Sequence, residues 1–433
     1  MDAVPAKGLE QALDAARARY VAANPRSSAQ LAAADGVMPG GNTRSVLFYE
    51  PFPLAIARGE GAYLWDADGH RYVDFLGEFT AGLYGHSSPV IRKAIISALD
   101  GGISLGGHNL LEDQLARLIC ERFPAMDKLR FTNSGTEANL MALALAKAAT
   151  GRPRIMVFAG AYHGSVLSFA AAPSPINVPH EFIIAPYNDI EATRRLIEMH
   201  RAQLAAVLVE PMLGAGGAIP ADAEFLASLR EATRAAGALL IFDEVMTSRF
   251  SAGGRQKLLG IAPDLTTLGK YLGGGLSFGA FGGRADLLDL FDPRRAHALA
   301  HPGTFNNNVL SMAAGIAGLT ELFTPDAADA LTRRGEALRA RLNATCAGAT
   351  MQVTGFGSIM NVHFTAAPIR RPADAVSDPR LRDLFFFDMI ENGIYLARRG
   401  LIALMLTIAD NDEQALVAAV ERFIDRRADL IKA

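Results

Sequence analysis

From residue 129 to residue 270 the chain repeats one pattern: a short apolar run, a tight polar loop, then a stretch with helical periodicity. The runs at 129–132, 154–158, 182–185, 206–210 and 238–242 read as strands, and 137–149, 190–203 and 223–236 as helices. Parallel strands need crossovers long enough to hold a helix, so this alternation predicts a mainly parallel sheet with helices on both faces. Sheets of that kind bind ligands beyond the carboxyl ends of their strands. Ser134, Tyr162, Glu210, Asp243 and Lys270 all fall at such ends.

The flanking stretches are less regular. Ahead of the repeat, 9–23 reads as an amphipathic helix with Leu9, Leu13, Ala16 and Tyr20 on one face, ended by Pro25. A glycine-rich loop at 38–44 delivers Arg44. Short strands are expected within 54–74 around a turn at 66–69, and helices at 89–99 and 110–123, the latter with Leu111, Leu115, Leu118 and Ile119 inward. After residue 310 the composition shifts. Helices are expected at 310–322, 327–342, 381–391 and 412–431, and strands within 351–364, at 394–396 and at 401–407. The expected division is an N-terminal segment, 1–70, joining a small C-terminal domain, 311–433, with a large ligand-binding domain at 71–310 between them.

Charge and cysteine content exclude several classes. With 433 residues and a formal net charge of -3, the chain lacks the basic excess of a nucleic-acid binder. Cys120 and Cys346 supply neither a disulfide framework nor zinc-type spacing. No apolar run nears the roughly 20 residues of a membrane span, and no signal peptide is visible at the N-terminus. The expected setting is the cytoplasm, without membrane or nucleic-acid partners.

Four strand ends carry distinct chemistry. Asn133-Ser134-Gly135-Thr136-Glu137 opens a helix, with Ser134 at the N-cap and Glu137 positioned for a capping box. The same free N–H groups and positive dipole end suit a phosphate monoester. The loop lacks the Gly-Lys-Ser/Thr of a nucleotide-binding P-loop, and no dinucleotide fingerprint occurs elsewhere. Asp243 ends an apolar strand, where a carboxylate needs a partner such as a cationic ring nitrogen. Tyr162 offers a face for a planar ring. Lys270 stands alone between the strand-like 265–268 and a glycine cluster at 273–275. His163 and Glu210, taken singly, read as structural. A phosphate cradle, a ring stacker, an acid for a ring nitrogen and a lysine amine together match pyridoxal 5′-phosphate, which lysine holds as a Schiff base.

The motifs extend this match. Tyr63-Leu-Trp-Asp-Ala-Asp-Gly69, Asn133-Ser-Gly-Thr-Glu-Ala138, Tyr162-His-Gly164, Val209-Glu-Pro211, Ile241-Phe-Asp-Glu-Val245, Thr267-Leu-Gly-Lys270, Phe278-Gly-Ala-Phe-Gly-Gly283 and Gly303-Thr304 resemble the class III aminotransferases of fold type I, from about residue 38 onward. Within that class the chain is similar to aromatic β-amino acid (β-phenylalanine) aminotransferases and to glutamate-1-semialdehyde aminomutases. Arg44-Ser-Val-Leu-Phe-Tyr49, Gly107-His-Asn-Leu-Leu-Glu112, Met246-Thr-Ser-Arg249, Thr304-Phe-Asn-Asn-Asn308 and Tyr395-Leu-Ala-Arg-Arg-Gly400 resemble the first group.

The resemblance implies a large domain with a seven-stranded, mainly parallel sheet, a smaller α+β domain built from both termini, and a homodimer. It implies that Lys270 carries the cofactor and shuttles the proton. Ser134, Gly135 and Thr136 would hold the phosphate, with Thr304 reaching in from a partner subunit. Tyr162 would stack on the ring, Asp243 would pair its nitrogen, and Glu210 and Met246 would line the site. Arg44 would bind a β-amino acid carboxylate, and Arg399 the second carboxylate of a 2-oxo acid acceptor, 2-oxoglutarate or pyruvate. Phe79 departs from the group's tyrosine in the side-chain pocket. The competing expectations are an aminomutase-type isomerase and a non-catalytic cofactor-binding protein.

Overall fold

The computed structural model describes residues 6–170 and 174–431. At its centre is a seven-stranded sheet. Across the sheet the strands run Lys128–Thr132, Gly279–Gly283, Leu265–Gly269, Leu239–Asp243, Leu204–Val209, Arg154–Phe158 and Glu181–Ala185. Gly279–Gly283 pairs antiparallel with both of its neighbours. Every other pairing is parallel.

The strands Leu204–Val209 and Leu239–Asp243 are buried along their whole length. Both faces are therefore covered, which is why these stretches are continuously apolar rather than alternating. One face packs on Ala138, Ala142 and Leu145 of the helix Gly135–Thr150, and the other on Phe225 and Leu229 of the helix Ala223–Ala236.

The termini share a second layer. Strands Ile56–Glu60, Tyr63–Asp66 and Arg71–Asp74 form a meander, and Ile394–Tyr395 adds to it in parallel. The helix Ala6–Ala23 packs on Pro379–Glu391, with the Tyr20 ring 5.1 Å from those of Phe52 and Phe387. Gln352–Phe356, Ile359–His363 and Leu401–Ala403 make a separate three-stranded sheet.

Several local expectations are corrected. Pro25 does not only end the first helix; it occupies the first turn of a second, Pro25–Asp35, where its missing N–H has no partner to lose. Leu118 is only part-buried in Glu112–Arg122. The final helix breaks into Asp410–Arg426 and Ala428–Ile431, and a π-helical turn, Gly318–Leu322, follows Val309–Ala317. The strand Gly279–Gly283 escapes a propensity reading because glycine is depleted in strands. Its glycines have a steric cause: a Cβ on Gly279 would stand 2.2 Å from the Ser134 carbonyl oxygen. The strand thus lies against the loop that opens the Gly135–Thr150 helix. Gly279→Ala should lower stability by about 1–3 kcal/mol, the usual range for overpacking a tight core, read as a fall in the urea midpoint at unchanged slope.

Candidate active site

The strand ends converge on a cavity of about 700 Å³, lined among others by Ser134, Tyr162, Asp243, Lys270, Arg44 and Arg399. Gly135, Thr136, Glu210, Met246 and Phe79 also face it. The carboxyl edge of the sheet explains the convergence: Asp243 is the last residue of its strand, and Lys270 directly follows Gly269, the last of the next.

Lys270 has a left-handed backbone, φ +57°. A residue with a Cβ incurs roughly 1–2 kcal/mol there, and such strain gathers at functional positions. The turn aims the side chain into the cavity. Loss of water around the ammonium pushes Lys270 down to about 8; the Glu78 carboxylate opposes the shift and Arg44 adds to it. The amine is therefore partly neutral near physiological pH.

Ser134 caps the helix Gly135–Thr150, its hydroxyl accepting from the Glu137 N–H at 3.2 Å. The Glu137 carboxylate accepts from the Asn133 N–H at 2.8 Å, so the reciprocal bond reaches one residue further back than a standard capping box. In this first turn no preceding carbonyl reaches the N–H groups of Gly135 and Thr136. A Cβ on Gly269 would be 3.5 Å from the Gly135 nitrogen, so the strand bearing the lysine adjoins the anion-binding end of the helix. Gly164, at φ +126°, leaves room for Thr136; a Cβ there would be 2.3 Å from the Thr136 hydroxyl.

Asp243 is only 5% exposed and is held by a buried polar chain. Its Oδ2 accepts from Asn139 Nδ2 at 2.8 Å and lies 2.8 Å from His163 Nδ1; its Oδ1 accepts from the Val245 N–H at 3.0 Å. Asn139 in turn accepts from the Thr267 hydroxyl at 2.8 Å and donates to the His163 carbonyl at 3.0 Å. Oδ1 keeps acceptor capacity for one further donor. His163, structural when read alone, thus orients Asp243. Asn139 was missed; its only signal was an amide one turn inside an apolar helix face. Glu210 is buried, and burial pushes its carboxyl up, with His163 opposing the shift and Asp243 adding to it. It accepts from the Tyr162 N–H at 3.0 Å and the Gly214 N–H at 2.8 Å, setting where Tyr162 stands. Tyr162 is 46% exposed and free to stack.

The opposite wall carries the arginines. Gly77 to Thr80 form a left-handed turn, with φ of 47°, 51° and 80° at Glu78, Phe79 and Thr80. Asp74 Oδ1 accepts from the N–H groups of Leu76 and Gly77 at 2.7 and 3.1 Å and holds its start. Two guanidinium groups approach the Phe79 ring, with Arg44 Cζ at 5.3 Å and Arg399 Cζ at 5.4 Å from its centroid. Arg44 is ion-paired with Glu78. Arg399 has no carboxylate partner among the described residues; burial pulls its pKa down, and Glu210 and Tyr162 oppose this. Thr304 is the one expected site residue that the fold does not bring to the cavity. It is exposed in a separate groove beside Gly107, Asn109 and Phe305. The Asn133–Asn306 bond, 3.1 Å, ties that groove to the helix-opening loop.

These features fit pyridoxal 5′-phosphate: a cradle that a Cβ at Gly164 would obstruct, an anchored carboxylate with an open acceptor site, an aromatic face and a lysine with a depressed pKa. Comparison with known proteins agrees. The class-III aminotransferase family model matches residues 48–424, and the chain belongs to that family. It is a pyridoxal 5′-phosphate-dependent transaminase of fold type I. The β-phenylalanine transaminase of Variovorax paradoxus is 60% identical over 426 residues, 98% of each chain. The crystal structure of a β-phenylalanine aminotransferase from that organism superposes with a TM-score of 0.97 at 59% identity, covering 98% of this chain and 99% of that one. A glutamate-1-semialdehyde 2,1-aminomutase of Heliobacterium modesticaldum is 38% identical over 432 residues, covering 94% of this chain and 99% of its own.

Below about pH 8 the Lys270 ammonium is mostly protonated, and above it mostly neutral. In cofactor-free protein, pulse acylation read by peptide mass spectrometry should therefore reach half its limiting rate at Lys270 near pH 8, whereas an ordinary lysine does so near 10.4.

Proposed function

We propose that the enzyme transfers the amino group of a β-amino acid with an aromatic side chain, such as 3-amino-3-phenylpropanoate, to a 2-oxo acid, 2-oxoglutarate or pyruvate, in a ping-pong cycle. The observation that carries this reading is the pair of guanidinium groups gathered at Phe79, 5.3 and 5.4 Å from its ring centroid. A β-carboxylate sits one carbon further from the reacting centre than an α-carboxylate. Two arginines from separate segments let one cavity seat both the donor and the acceptor. The 60% identity to a β-phenylalanine transaminase supports the same donor class.

The cofactor, when bound, supplies an electron sink for the carbanion formed at the amine-bearing carbon. The chain's own groups do the rest. Lys270, its pKa depressed to about 8, takes the proton from that carbon at Nζ and returns it. Asp243, clamped by Asn139 and His163, would accept a hydrogen bond from the cofactor's ring nitrogen and keep it protonated. The first turn of Gly135–Thr150 and its Ser134 cap would hold the phosphate, and Tyr162 would stack on the ring. Glu210 and Met246 close the floor around them. Arg44 orients the donor carboxylate, and Arg399 the distal carboxylate of a dicarboxylic acceptor.

The exposed position of Thr304 supports a homodimer in which this residue completes the partner's phosphate site. Its groove is bordered by Leu105 and Phe305, 56% and 61% exposed, an apolar surface suited to burial. No helix among the described residues is long and apolar enough to cross a membrane.

The deciding assay incubates holoenzyme with 3-amino-3-phenylpropanoate and either acceptor, and separately with glutamate-1-semialdehyde alone. Formation of the 3-oxo acid with stoichiometric glutamate or alanine is expected. Formation of 5-aminolevulinate without any acceptor, in place of that activity, would show an aminomutase instead.

A further inference from the structure

Resting on the reading of Arg44 as a carboxylate binder, we propose that Glu78 is an internal stand-in for the substrate carboxylate: it occupies Arg44 in the empty site and must be displaced when a carboxylate-bearing ligand enters. The two arginines beside Phe79 are not equivalent. Arg399 has no acidic partner among the described residues, whereas Arg44 is ion-paired with Glu78. The pair is labile, since the two side chains are 42% and 55% exposed and water can take over either half.

The backbone under Glu78 is, by contrast, fixed. Asp74 pins the start of the turn through Leu76 and Gly77, the Phe79 ring is buried with Leu76, Met212 and Leu401, and Arg249 lies 3.5 Å from the Thr80 carbonyl at its end. A left-handed run with three side-chain-bearing residues persists only where its surroundings impose it. Glu78 is the one residue of this run whose side chain is exposed. The turn thus holds a carboxylate at a set position against Arg44 without burying it. An incoming carboxylate meets an arginine already neutralised and a second negative charge beside it. Amines without a carboxylate meet neither obstacle.

Removing the charge while keeping the shape should therefore help carboxylates alone. The probe is 3-phenylpropanoate, which has no amine to react, titrated into holoenzyme by calorimetry. Glu78→Gln should bind it about two- to fivefold more tightly, the range expected for an exposed ion pair. In an Arg44→Gln background the same change should have no effect. Binding of 1-phenylethanol, which has neither a carboxylate nor an amine, should not move in Glu78→Gln. Unchanged or weaker probe binding in Glu78→Gln, with Arg44→Gln clearly weakened, overturns the displacement idea and leaves the substrate reading intact. Probe binding unaffected by Arg44→Gln removes the carboxylate role of Arg44, and the role of Glu78 with it. Thermal midpoints within a degree or two of the parent confirm that each variant is folded.

Discussion

The site depends on one buried carboxylate held at a strand end. Asp243 stands where the sheet meets the cavity, and its environment offers little water to stabilise a charge. Three protein groups do so instead. Asn139 comes from the helix that Ser134 caps, His163 from the segment after the Arg154–Phe158 strand, two strands away in the sheet, and the Val245 N–H from the same turn as the carboxylate. Thr267, on the strand that leads to Lys270, locks Asn139 in turn. The phosphate loop, the ring-stacking loop and the lysine strand are therefore tied through a single acid. A shift in any one moves the Asp243 carboxylate.

The second constraint is the left-handed turn from Gly77 to Thr80. It joins the meander of the N-terminal segment to the cavity and brings Phe79 within 5.3 and 5.4 Å of the two arginines. Arg44 comes from a loop near the N-terminus and Arg399 from the turn between the strands Ile394–Tyr395 and Leu401–Ala403. In the proposed reading, the layer made from both termini carries substrate recognition and the central sheet the chemistry. This separation allows the side-chain pocket to vary without disturbing Lys270 or Asp243.

Much of this was legible in the chain. The parallel sheet follows from the repeat, because continuous apolar runs between helix-period stretches have few other solutions. Asp243 stood out because a carboxylate ending an apolar run needs a partner, and Lys270, by itself an ordinary surface lysine, gained weight only beside Asp243, Ser134 and Tyr162 at the other strand ends. Ser134 was legible as a cap, and a cap is also an anion site. What the chain hid were relations across space. The strand Gly279–Gly283 looks like a loop until Ser134 is seen pressing on it. Asn139 is one polar residue on a helix face and gains meaning only beside Asp243 and Thr267. The Glu78–Arg44 pair joins residues 34 apart through a backbone conformation that no propensity favours. Thr304 was legible only by resemblance, and one chain alone does not bring it to the cavity.

The proton on the cofactor's ring nitrogen is the quantity on which the role of Asp243 rests. It is read directly by the 15N chemical shift of ring-labelled pyridoxal 5′-phosphate in reconstituted enzyme. The wild-type protein should show a protonated ring nitrogen throughout the neutral pH range, and Asp243→Asn an unprotonated one with the cofactor still bound. The same protonated signal in both proteins would contradict the role given to Asp243.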